Sequence, residues 1–167
     1  MITLTPTKRL PWQDRWCQPT LDQLFEPLEE VHRKILTDML DRIEIYDDMR
    51  SSLVWRGVSW HWTIEYTIHD PDGNKLETFC YVVPNNAVPR VCIPLSNEVL
   101  HRLPFRRLHR FVRNGIRSAK RAVAINWAIW ELNAPFEVEI LMDLIKRKHK
   151  MLLEPFKPAK TQKVTEI

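Results

Sequence analysis

The segment from His61 to Val83 constrains the fold most. From His61 to His69 the residues alternate: Trp62, Ile64, Tyr66 and Ile68 fall on one side, and His61, Thr63, Glu65 and Thr67 on the other. A period of two is that of a strand with one buried face. Asp70, Pro71, Asp72, Gly73 and Asn74 follow, a strong turn run: proline presets φ, glycine accepts a positive φ, and Asp and Asn bond their own backbone. Lys75 to Val83 is the returning strand, so residues 62–68 are expected antiparallel to 76–82. A hairpin alone is marginal in water and needs a second layer.

The flanking segments supply that layer. In Leu28 to Ile43, Leu28, Val31, Ile35, Met39 and Ile43 are spaced at three and four, with Leu36 and Leu40 widening the stripe and Pro27 at the first helical position. Pro135 opens a last helix to about Leu152, with Val138, Leu141, Met142 and Ile145 on its apolar face. Thr20 caps a short turn to Phe25. Ser51 to Trp60 is β-prone until Gly57 breaks it. Val88 to Pro94 reads as a strand that Pro94 ends, and Ala124 to Leu132 as another. Ser96 caps a helix start before Pro104. The expected fold is therefore α+β, two layers, with a mostly antiparallel sheet packed against amphipathic helices. Residues 1–19 form an irregular arm pinned by Trp12 and Trp16, residues 20–152 a single domain, and residues 153–167 a flexible tail.

The functional signal lies in the charge. Residues 1–101 carry 10 Lys/Arg and 15 Asp/Glu, net −5, whereas residues 102–167 carry 15 and 6, net +9. Arg102 to Arg121 reads as one helix. At about 100° per residue, Arg102, Arg106, His109, Arg110, Arg113, Arg117, Lys120 and Arg121 fall within an arc of about 120°. Phe105, Leu108, Val112, Gly115, Ile116 and Ala119 fall opposite. No Asp or Glu between Arg102 and Ile129 offsets the charge. Like charges four apart repel on a helix, and phosphate matches arginine's planar fork. Lys146 and Lys148, in the run Lys146 to Lys150, extend the footprint if the two helices lie side by side. The partner expected is nucleic acid or another polyanion, bound without sequence specificity because no known reader motif is present. The alternatives are a protein–protein module in which an acidic partner meets the basic half, and a metal-dependent nuclease.

Seven tryptophans are many for 167 residues. Trp55, Trp60, Trp62, Trp127 and Trp130 are candidates for a groove that stacks bases, with Trp60, Trp62 and Trp130 foremost. Trp60 and Trp62 share a side if both lie in one strand. The competing reading is a Trp-rich core.

Other chemistry finds little support. His61, Glu65 and His69 share a strand face, but four residues span about 13 Å, too far to ligate one metal. A nuclease site would need Asp47 and Asp48 brought to them. No paired-cysteine or HExxH pattern occurs, and three glycines leave no phosphate loop. Neither a catalytic residue nor a metal ligand nor a cofactor is assigned. Cys17, Cys80 and Cys92 are odd in number and widely spaced, which predicts buried free thiols in a reducing compartment. No apolar run reaches the roughly 18 residues of a membrane span, and residues 1–18 lack a leader's apolar stretch. A cytoplasmic protein is expected.

The runs Trp55-Arg-Gly-Val-Ser-Trp-His-Trp62 and Phe79-Cys-Tyr-Val-Val83 also bear on family. With them go Asn126-Trp-Ala-Ile-Trp-Glu131 and Leu141-Met-Asp-Leu-Ile-Lys-Arg-Lys148. Together, over residues 20–150, they resemble the small uncharacterised bacterial α+β domains of the YdhG-like group. The resemblance implies a helix packed on an antiparallel sheet and a last strand feeding a C-terminal helix. It implies no catalytic residues. The Arg102–Arg121 segment is richer in arginine than such domains usually are.

Overall fold

Each strand of the central sheet is explained by what its two faces meet. The computed structural model describes residues 9–84 and 87–158. The element order is α1 (Leu21–Phe25), α2 (Glu30–Glu44), β1 (Met49–Trp55), α3 (Gly57–Trp60), β2 (Trp62–His69), β3 (Lys75–Val83), β4 (Arg90–Ser96), α4 (Asn97–Arg102), α5 (Arg110–Arg117), β5 (Lys120–Ala122), β6 (Ile125–Glu131) and α6 (Pro135–Leu153). The six strands lie in the order β1-β2-β3-β4-β6-β5, and every pair is antiparallel. The fold is α+β. Residues 64–69 pair antiparallel with 75–82, and irregularities after Tyr66 and after Ile68 each give β3 one extra residue.

One face of the sheet is dry. Ile64, Tyr66, Ile68, Val82, Val91, Ile93, Leu95, Ala128 and Trp130 are buried there, against Ile35, Leu36, Met39 and Ile43 of α2 and Leu141, Leu144 and Ile145 of α6. Thr20 caps α1 through Gln23 N–H, and Ser96 caps α4 through Val99 N–H, both as expected. α2 starts at Glu30, not at Pro27. Pro27 instead occupies the turn that Leu28 N–H closes onto the Phe25 carbonyl.

Pro94 does not end its strand. Across from β6 it pairs with Trp127, within a ladder that runs on to Ser96. The N–H and C=O of one strand residue point to the same side, so the missing donor falls toward β3. There the β3–β4 ladder stops after Tyr81↔Cys92.

The expected arm is described from Arg9 and the expected tail to Pro158; residues 1–8 and 159–167 lie outside the described residues. Trp12 pins the arm and is buried, but Trp16 is 86% exposed. Asp14 contributes instead, its carbonyl accepting from Trp62 Nε1 at 2.6 Å. The tail's first residues are structured: Glu154–Phe156 form a 3-10 turn, and Glu154 pairs with Arg102. Cys80 and Cys92 are buried, as expected, whereas Cys17 is exposed.

Candidate nucleic-acid interface

The Arg102–Arg121 segment is not one helix. Arg102 ends α4, Arg106 lies in the 3-10 turn Phe105–Arg107, Arg110, Arg113 and Arg117 ride on α5, and Lys120 and Arg121 belong to β5. The helix is broken because Pro104 removes a donor and Leu103 before it is extended. His109 then caps the new helix, its Nδ1 accepting from Phe111 N–H at 3.1 Å.

The charges nevertheless follow one another along the chain as a ridge on α5 and its two flanks, with Lys120 and Arg121 alternating to opposite faces of β5. Arg106, Arg107, Arg110, Arg117, Lys120 and Arg121 are exposed. Among the described residues none of them forms an ion pair, and three acids of the first half meet other partners. Glu30 meets Lys34, Asp38 meets Arg42, and Asp48 meets His149. Arg117 lies over the Phe105 ring at 5.2 Å. Arg113 is half-buried, with its Nε out of water and unbonded among the described residues. Arg102 is tied to Glu154, which holds that carboxyl below its ordinary value through the hydrogen bond and charge of the guanidinium.

The Lys146–Lys150 run divides three ways. Lys146 lines a groove with Arg42, Ile45, Tyr46 and Met142, between α2 and α6 and apart from the ridge. Arg147 and Lys150 line a depression of about 210 Å³ with Arg102 and Glu154. Lys148 is fully buried, which removes it from any surface footprint. Its Nζ donates to the carbonyls of Phe79 at 2.8 Å and Pro94 at 2.7 Å and sits 4.7 Å from the Phe79 ring centre. Continuing the β3–β4 register by two residues brings Phe79 opposite Pro94. Proline cannot close that ladder, and the ammonium bonds both carbonyls left over. Burial pushes the Lys148 pKa down, opposed by Glu77, Cys80 and Cys92.

The tryptophans also separate. Trp62 and Trp130 are buried on the dry face and have no ring face free for stacking. Trp130 packs on Gly115 and donates from Nε1 to the Phe111 carbonyl at 3.1 Å, which docks α5 on β6. Trp60 does not follow strand parity, because it ends α3 and His61 after it takes φ 57°. This reversal delivers Trp60 to the opposite face of the sheet. There it meets Tyr81 edge-on at 5.4 Å. Trp127 lies 6.1 Å from the same tyrosine, and the Arg56 guanidinium stands 4.8 Å over its ring. Burial raises the Tyr81 phenol above its ordinary value, and Arg56 opposes that shift.

Arg56, Ser59, Trp60 and Trp127 thus line a cleft of about 280 Å³ that opens to solvent, with Tyr81 packed against its walls. Lys120 is Trp127's partner across the β5–β6 ladder and so shares the cleft's face, whereas α5 docks through Trp130 on the other. Arg56 and Tyr81 were not foreseen as site residues. The signals available were Gly57, whose positive φ breaks the strand, and the opposite strand parities of Trp127 and Trp130.

Among the described residues no three of His, Cys, Asp and Glu gather as metal ligands. No described helix is long and apolar enough to cross a membrane. A scan of family models gives no match to this chain, and a search of curated proteins gives none either.

Proposed function

We propose that this chain binds nucleic acid or another polyanion, without sequence specificity, through the ridge from Arg106 to Arg121. One observation carries the reading: Arg106, Arg110, Arg117, Lys120 and Arg121 are exposed and free of carboxylate partners among the described residues. The cations repel one another across the ridge, and a row of phosphates relieves that repulsion while using each guanidinium's paired donors. Backbone phosphate contacts of this kind set affinity and carry no sequence information.

The test is the salt dependence of binding to a random-sequence duplex. Affinity should fall steeply with salt, and replacing Arg106, Arg110, Arg117 and Arg121 by Gln should flatten the log–log slope by about 0.9 per charge lost. Undiminished binding by the fourfold variant overturns the proposal. An acidic protein would use the same cations, and the charge asymmetry of the two halves supports that second reading. Retention of acidic polypeptides with no nucleic-acid binding at low salt would select it.

A further inference from the structure

We infer that the cleft of Arg56, Ser59, Trp60 and Trp127 takes an unpaired nucleobase, so that the polyanion is a single strand. This rests on the ridge reading and names its ligand class. The walls are two half-buried indoles, both within contact range of Tyr81, with a guanidinium over the tyrosine. Flat π faces with a planar cation over the tyrosine beside them suit a flat heteroaromatic ring. Every base has such a face, which makes stacking tolerant of sequence. The volume, about 280 Å³, lies at the small end of ligand pockets and has room for a ring, not a large cofactor.

Two further observations favour a nucleotide over an uncharged aromatic. Lys120 faces Trp127 across the ladder, about 5 Å away between strands, so a base against Trp127 puts its phosphate within reach of that ammonium. Glu65, the acid paired with Tyr81, lies on the far side of Tyr81 from Trp127. The cleft is also pre-formed. Arg56 N–H donates to the His61 carbonyl at 2.9 Å and His61 N–H to the Gly57 carbonyl at 2.7 Å, which fixes the turn carrying both Arg56 and Trp60. His61 holds φ 57°, a conformation that a non-glycine residue adopts at a cost. Duplex bases are stacked and paired and offer no free face to such a site.

The experiment measures three probes on the full chain by fluorescence anisotropy: a labelled oligothymidylate, a duplex of equal length, and heparin. The native protein should bind the oligothymidylate more tightly than the duplex. Trp127→Ala and Trp60→Ala should each weaken oligothymidylate binding by about fivefold to a hundredfold, while leaving heparin and duplex affinities within about twofold. A native far-UV circular dichroism spectrum reports that each variant is folded. Should Trp127→Ala lose all three probes through unfolding, Trp60→Ala carries the test, because it lies outside the sheet. Equal affinity of the native chain for single strand and duplex overturns the inference. So does heparin binding with oligothymidylate binding unmoved by both substitutions, and in that case the ridge reading survives. Failure of all three probes to bind the native chain overturns both.

Discussion

A single methyl group at position 115 should undock the basic helix. Gly115 lies in the middle of α5, where alanine would ordinarily be favoured by about 1 kcal/mol of helix propensity. The local packing reverses that sign. A Cβ at Gly115 would lie 2.0 Å from Trp130 Nε1, 2.2 Å from Cε2 and 2.8 Å from Cδ1. The indole cannot retreat freely, because it is buried in the core and Nε1 is bonded to the Phe111 carbonyl. Overpacking a core contact costs about 1–3 kcal/mol. Displacing the indole breaks its hydrogen bond and strands a buried donor, another 1–3 kcal/mol or so. After subtracting the propensity gain, Gly115→Ala should destabilise the domain by about 3 kcal/mol, within a range of about 1–5. For a chain of this size that lowers the melting temperature by about 6–12 °C. Urea unfolding followed by far-UV circular dichroism reads it directly. The same change in a Trp130→Ala background should cost at least about 1 kcal/mol less, since Ala removes the whole ring that clashes. A Gly115→Ala protein as stable as the native one would refute the packing argument and return the decision to propensity.

Further expectations follow from buried groups. Lys148→Met should lose about 1–3 kcal/mol at neutral pH, because two backbone carbonyls are left without a donor. Burial lowers the Lys148 pKa below its ordinary 10.5, so between those values the unfolded chain holds the extra proton and the lysine's contribution to stability rises with pH. The stability gap between native chain and variant should therefore widen as pH approaches 10.5, and a flat difference in paired urea curves would contradict this. The thiols behave oppositely: burial pushes Cys80 and Cys92 from 9.0 up to about 12, so their share of stability is lost as pH rises from 9 toward 12. A chromogenic disulfide reagent should titrate one thiol, Cys17, in the native protein and three in denaturant; rapid native reaction at all three would show that the core opens.

The hairpin was readable because alternation and turn chemistry act locally, and residues 64–69 and 75–82 obey them. The α2 and α6 stripes were readable for the same reason at a different period. The basic segment was misjudged because its polar residues also satisfy helical periodicity, while Pro104 and the extended residues around it decide the backbone. Lys148 sits in a run of cations, and nothing local distinguishes it. Its burial depends on Pro94, 54 residues away, leaving a carbonyl in need of a donor. Strand parity does not reach Trp60, because α3 ends there and His61 after it takes a positive φ, a property of the closed turn and not of histidine. Arg56 reaches Tyr81 only after β1, α3 and β3 have been assembled.

Pro94 and Lys148 also bear on how such a chain can change by descent. An amino acid with an N–H at position 94 would let the ladder close onto Phe79, and the ammonium would then lose its task while still bearing the burden of burial. An apolar residue at position 148 with proline kept at 94 would leave two carbonyls unbonded. Each single step is unfavourable and the double step is not. The two positions should therefore be inherited as a unit, proline with lysine or a donor-bearing residue with an aliphatic one, with mixed pairs rare among descendants of this fold.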